Sequence, residues 1–81
     1  MTKTVHILYF ASLREERGIS EESLQTTAGT PLQLYQELRK CHGFTLEPRN
    51  LKIAINDEFQ NWDTALNDRD QVAFLPPVAG G

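Results

Sequence analysis

The stretch TVHILYF, Thr4 to Phe10, has the two-residue period of a β-strand. Val5, Ile7 and Tyr9 fall on one side and His6, Leu8 and Phe10 on the other. One apolar face serves a core. Leu8 and Phe10 exceed what a solvent face needs, so the pattern predicts a contact surface there. Ala11 to Gly18 (ASLREERG) reads as a short helix with Leu13 as its apolar contact and Gly18 as its stop. Glu21 to Thr27 is weakly strand-like around Leu24 and Thr26.

Thr30 to Gly43 (TPLQLYQELRKCHG) carries the clearest helix pattern. Thr30 is placed as N-cap, Pro31 at the first helical position, and Gln33 where it completes a capping box. Leu34, Tyr35, Leu38 and Cys41 form one apolar stripe. Arg39, Lys40 and His42 suit the negative end of the dipole, and Gly43 closes the helix.

Leu51 to Ile55 alternates again, with Leu51, Ile53 and Ile55 on one face. Asn56-Asp57 is a turn signal, and Glu58-Phe59 predicts a short return strand. Asn61 to Asp70 is turn-rich, with Leu66 as a core plug. Gln71 to Leu75 is the last strand, and Pro76-Pro77 end it because neither can donate to a ladder. Mixed strands with one principal helix predict an α+β domain, the helix packed on one face of a sheet of four to five strands.

Composition narrows the picture. With 81 residues the chain is one domain with a small core. A net charge of −3 argues against nucleic acid as the main partner. No apolar run approaches the roughly 20 residues that span a bilayer, and no signal-peptide pattern opens the sequence. A single cysteine, Cys41, excludes an internal disulfide and suits a reducing, cytoplasmic setting.

The sequence ends FLPPVAGG. Pro76 and Pro77 favour an extended geometry, and the stretch after the strand could project roughly 15–20 Å. Gly80 and Gly81 remove the side chains beside the terminal carbonyl, so the backbone can enter a narrow channel and the carbonyl carbon is open to attack. An ionised carboxylate is a poor electrophile. It needs activation, most simply by ATP as an acyl-adenylate. The chain has no phosphate-binding glycine motif of its own, so an external enzyme has to supply that step. A Gly-Gly ending alone also fits an ordinary terminus.

Three features together resemble the small subunit of molybdopterin synthase, the MoaD family of sulfur carriers within the ubiquitin-like β-grasp fold. "LYFASLRE" (Leu8 to Glu15) is similar to the family's first strand and its F-A-x-x-R-E continuation. "LNDRDQVAFLPPVAGG" (Leu66 to Gly81) is similar to its L-x-D-G-D-x-V-A-F-x-P-P-V-x-G-G ending. Length and element order also agree. Arg69 stands where the family usually has glycine, which questions the geometry of that turn, and Leu75 where an aromatic is common.

The resemblance implies a β-grasp domain over residues 1–75 and a flexible tail over 76–81. It implies that a MoeB-type enzyme adenylates Gly81 with ATP-Mg, that a persulfide donor converts it to a thiocarboxylate, and that the tail delivers sulfur inside a MoaE-type large subunit. The acceptor would be cyclic pyranopterin monophosphate, in molybdenum cofactor biosynthesis. Gly81 would be the carrier, Gly80 would give access, and Val78 and Ala79 would thread the channel. Phe10, Leu75, Pro76 and Pro77 would dock, in a 2:2 heterotetramer. The small subunit would bind no cofactor of its own, and no nucleic acid or membrane.

Other residues read as structural. Cys41 is assigned to the core stripe near a helix C-terminus that disfavours a thiolate. His6 and His42 are too few for a metal site, Trp62 is a packing lid, and the pairs Glu15-Glu16 and Glu21-Glu22 are solvated surface that could steer a basic partner. Competing functions keep the tail chemistry for another acceptor, as in thiamine thiazole synthesis or a ubiquitin-like modifier, or make the chain an inert binding module.

Overall fold

The computed structural model of the protein describes residues 2–77. The elements run β1 (Lys3–Tyr9), α1 (Ala11–Arg17), β2 (Glu21–Thr26), α2 (Pro31–His42), a 3-10 turn (Pro48–Asn50), β3 (Lys52–Ile55), β4 (Glu58–Gln60) and β5 (Gln71–Leu75). They form one five-stranded sheet in the order β2-β1-β5-β3-β4. β1 and β5 are parallel and the remaining pairs antiparallel. The first and last strands therefore lie side by side at the centre, the mixed sheet of a β-grasp fold.

That placement explains the composition of β5. Val72 and Phe74 are buried in the core under α2, while Ala73, on the opposite face, is buried because its small side chain lies between Leu8 and Ala54 of the flanking strands. On one face Val5, Ile7, Tyr9, Ile53, Ile55, Val72 and Phe74 meet Leu34, Tyr35 and Leu38 of α2, with Leu13 from α1 and Leu66 from the long loop. Tyr35 is the hub. Its ring lies 5.2 Å from Phe74, 5.8 Å from Trp62 and 6.0 Å from Phe44. Its hydroxyl donates to the Leu46 carbonyl at 2.8 Å, and burial pushes its pKa up to about 12. Trp62 closes the side of the core, as its position in the loop suggested.

Local chemistry sets the element ends. Thr30 Oγ1 accepts from the Gln33 amide at 3.2 Å, but Gln33 Oε1 reaches one residue past the expected cap and accepts from the Gly29 amide at 2.7 Å. Gly18 and Gly43 terminate the two helices at φ 85° and 71°, where a side chain would be strained. The β3–β4 hairpin turns on Asn56 and Asp57, both left-handed, as a two-residue loop needs.

Two readings are corrected. Cys41 is exposed, not core. It keeps the angular position of the stripe, but there it borders an open groove with Leu24, Leu38 and His42. Phe44, folded back after Gly43, fills the core beside Tyr35 and Tyr9. The acidic pairs are not simply solvated. Glu22 is half-buried, takes both Nε and Nη2 of Arg17 at 2.9 and 2.8 Å, and accepts from the Tyr9 hydroxyl at 2.6 Å. The Arg17 guanidinium holds its carboxyl below the usual range, while burial first and Glu22 second raise the Tyr9 phenol. Glu16 accepts from the amide and hydroxyl of Thr45. These carboxylates fasten α1 to β2 and to the loop after α2.

Arg69 adopts φ 71°, so the turn keeps the glycine-type geometry and the arginine tolerates it. Among the described residues its one ion pair is 3.9 Å long to neighbouring Asp68, on an arginine side chain that is almost fully exposed. Arg69→Gly should raise the melting temperature by about 3–6 °C, because relief of left-handed strain exceeds the added freedom of the unfolded chain. A calorimetric scan showing no rise would mean the strain is absorbed by the turn.

Candidate functional site

The face of the sheet turned away from α2 carries the site. Pairing register builds a row across four strands, in which Leu8 sits opposite Ala73, Ala73 opposite Ala54, and Ala54 opposite Phe59. Paired residues share a face, so this is one apolar band crossing the sheet. Beside it Leu75 lies opposite Lys52, and Phe10 extends β1 by one further residue. No helix covers this face. Phe59 is 71% exposed and Phe10 40%, which is unusual for such large rings.

The backbone holds Phe10 in place. It is extended at φ −127°, ψ 153°, and its carbonyl accepts from the amides of Leu13 and Arg14. The chain then turns sharply at Ala11, with φ 50°. Such a conformation costs a non-glycine residue about 1–2 kcal/mol. Behind it, the Tyr9–Glu22–Arg17 contacts anchor both sides of the turn.

Pro76 and Pro77, the root of the tail, border the groove beside Phe59 and Lys52. β5 ends at Leu75. Leu75, Pro76 and Pro77 line a groove of about 400 Å³ with Arg49, Leu51, Lys52 and Phe59. The Lys52 ammonium lies 6.0 Å from the centre of the Phe59 ring, at the outer limit of a cation–π contact. Of the residues assigned to docking from the sequence, Leu75, Pro76 and Pro77 line this groove, while Phe10 does not line it and follows Tyr9, the partner of Phe74 on the neighbouring strand. Val78, Ala79, Gly80 and Gly81 lie outside the described residues. Phe59, Ala54 and Lys52 were not assigned to the site from the sequence. Phe59 was visible as a strand residue, and its apolar side chain on a three-residue edge strand was the available signal.

His6 bonds Ser23 Oγ through Nδ1 at 2.9 Å and faces Glu21 at 3.2 Å. It lies on the polar border of the band. Among the described residues no group of three or more His, Cys, Asp or Glu could hold a metal ion, and no helix is long and apolar enough to cross a membrane.

A five-stranded β-grasp sheet with an open apolar face, whose central last strand ends at a proline pair, defines the protein as one of the ubiquitin-like β-grasp class. The ThiS family model matches residues 7–81. The molybdopterin synthase sulfur carrier subunit of Escherichia coli is 32% identical over 80 residues, covering 95% of this chain and 99% of that protein. The protein–protein complex of subunits 1 and 2 of the molybdopterin-converting factor from Helicobacter pylori contains a chain 29% identical, with TM-score 0.64 over 96% of this chain and 99% of that one. The small archaeal modifier protein 1 of Methanosarcina acetivorans shares the fold at TM-score 0.78 and 23% identity, over 100% of this chain and 99% of that one. The chain belongs to the ThiS family and, within it, to the family of molybdopterin synthase sulfur carrier subunits.

Proposed function

We propose that the chain is the sulfur carrier of a molybdopterin synthase, with Gly81 as the covalent carrier. The observation that carries this reading is the continuity of β5 with the tail. A rigid central strand ends at Leu75, a proline pair follows, and the family match runs through to Gly81. The body is a handle, and the reactive atoms stand beyond it.

The chemistry requires four steps. The Gly81 carboxylate attacks the α-phosphorus of ATP-Mg held by an activating enzyme, releasing pyrophosphate. The terminal sulfur of a persulfide donor attacks the acyl carbon, and AMP leaves. A thiol supplies the two electrons that cleave the resulting acyl disulfide to a thiocarboxylate. The tail then enters the large subunit, where the sulfur passes to cyclic pyranopterin monophosphate and water restores the carboxylate. Two rounds supply the two sulfurs of a dithiolene. Gly80 keeps the approach to the acyl carbon free, and Val78 and Ala79 lie in the channel. Phe10, Phe59, Leu75, Pro76 and Pro77 seat the body on the partner, in a 2:2 assembly. In this reading the carrier binds no cofactor itself and works in the cytoplasm. The naming of the curated relatives supports molybdopterin over thiazole as the destination.

The test is the mass of the C-terminal peptide after incubation with the activating enzyme, ATP-Mg and a persulfide donor. One oxygen replaced by sulfur, a gain of about 16 Da confined to that peptide, is expected. Oxidation of Met1 or Cys41 gives nearly the same mass elsewhere in the chain. An unchanged peptide with a competent cognate enzyme would overturn the reading.

A further inference from the structure

We infer that Arg49 and Lys52 form a cationic gate at the root of the tail that selects the large subunit through carboxylates around its docking pocket. This rests on the sulfur-carrier reading above.

The two residues come from different elements, the 3-10 turn and β3, yet line one groove with Phe59, Leu75, Pro76 and Pro77. The other cations whose contacts are described are engaged elsewhere. Arg17 is paired with Glu22, Arg39 with Glu47, Arg69 with Asp68, and Lys3 Nζ donates to the Ala28 carbonyl, while Arg14 on α1 and Lys40 beside the α2 groove, also without an ion pair among the described residues, do not line this groove. Arg49 and Lys52 have no ion pair or side-chain hydrogen bond among the described residues, and both are exposed. Glu47, the nearby acid in sequence, is bonded to Arg39 at 3.1 Å, and Arg49 adds only a weaker attraction to it.

A chain of net charge −3 thus presents two cations, without an ion pair among the described residues, beside Pro76 and Pro77 at the root of the tail. Lys52 also arches over Phe59, so its charge stands at the rim of the apolar band. An apolar centre with a cationic rim is complementary to an apolar pocket edged by Asp or Glu. A partner that receives the tail comes close to this groove, because Pro76 and Pro77, which lead into the tail, line it. Rim charges of this kind act on encounter and register more than on final affinity.

The experiment measures association of the carrier with its cognate large subunit by stopped flow at low and high salt. The variants are Arg49→Glu with Lys52→Glu, and Phe59→Ala for comparison. The double reversal is expected to cut the association rate roughly tenfold or more at low salt, with the difference shrinking as salt screens it. Phe59→Ala is expected to speed dissociation and leave the salt dependence unchanged. Unaltered circular dichroism keeps misfolding out of the comparison.

A double reversal within twofold of wild type at every salt concentration overturns the inference. So does a defect seen only with the activating enzyme. If the wild-type chain fails to bind the large subunit at all, the sulfur-carrier reading falls, and this inference with it. Wild-type binding with indifferent charge reversals leaves that reading standing and removes only the gate.

Discussion

Removal of Gly80 and Gly81 is expected to leave the domain folded and to lower sulfur transfer by about 10³-fold or more. The described strands and helices end at Leu75, and the core lies on the α2 face of the sheet. The melting temperature of the truncated chain should stay within about 2 °C of the full one. The loss of activity follows from reach. Two extended residues span about 7 Å, whereas a misplacement of about 1 Å can cost 10²-fold in a positioned reaction. A carboxylate at Ala79 would stop short of both the adenylating site and the acceptor. Binding to the large subunit should weaken far less, because the body supplies the apolar band. Single-turnover sulfur transfer and an equilibrium binding curve, run on the same preparation, separate the two effects. Gly81→Ala keeps the length and adds one methyl group beside the acyl carbon, so it should slow adenylation while binding is retained. A truncated chain active within tenfold of the full one would mean that Gly81 carries no sulfur.

The strands, the long helix and the end of β5 at the proline pair were legible in the sequence because their signals are local. Alternation in TVHILYF, capping residues at Thr30 and Pro31, and the proline stop after Leu75 each lie within a few residues of what they determine. The site was legible only in part, because its remaining members are brought together by register. Phe59 joins Leu8 only through three successive strand pairings. Arg49 meets Lys52 at the tail through a 3-10 turn that no periodicity announces. Cys41 failed for the same reason in reverse. Its helical phase pointed inward, but phase does not reveal where the sheet beneath a helix ends, or that Phe44 returns to fill the gap. The acidic pairs were misread because a run of charges looks solvated until a buried phenol and an arginine from another element are placed beside it.

Phe74→Ala is expected to destabilise the protein by about 3–5 kcal/mol, close to the whole stability of a domain this size. Phe74 is fully buried on the central strand, against Tyr35 at 5.2 Å and stacked with Trp62 at 6.1 Å. Truncation removes the ring's transfer energy and leaves a cavity that β1, β3 and α2 cannot close together, since the hydrogen-bonded ladders on both sides of β5 fix their spacing. At about 0.05–0.15 kcal/mol per residue an 81-residue chain holds about 4–12 kcal/mol, so at the lower end of that range little would remain. Urea unfolding should show a midpoint shifted towards zero, and much of the chain unfolded at 37 °C. Phe74→Leu is the informative partner. It keeps most of the volume and loses the ring contacts, so a cost of about 1–2 kcal/mol is expected. The comparison also bears on function. Phe74 precedes Leu75 at the root of the tail, so a loss of sulfur transfer in Phe74→Ala alone could be mistaken for a defect in docking. Phe74→Leu, folded at 25 °C, should transfer sulfur at close to the wild-type rate, because Phe74 faces α2 and the docking band lies on the other side of β5. A folded Phe74→Leu chain with impaired transfer would show instead that the packing beneath β5 sets the direction in which the tail leaves the sheet.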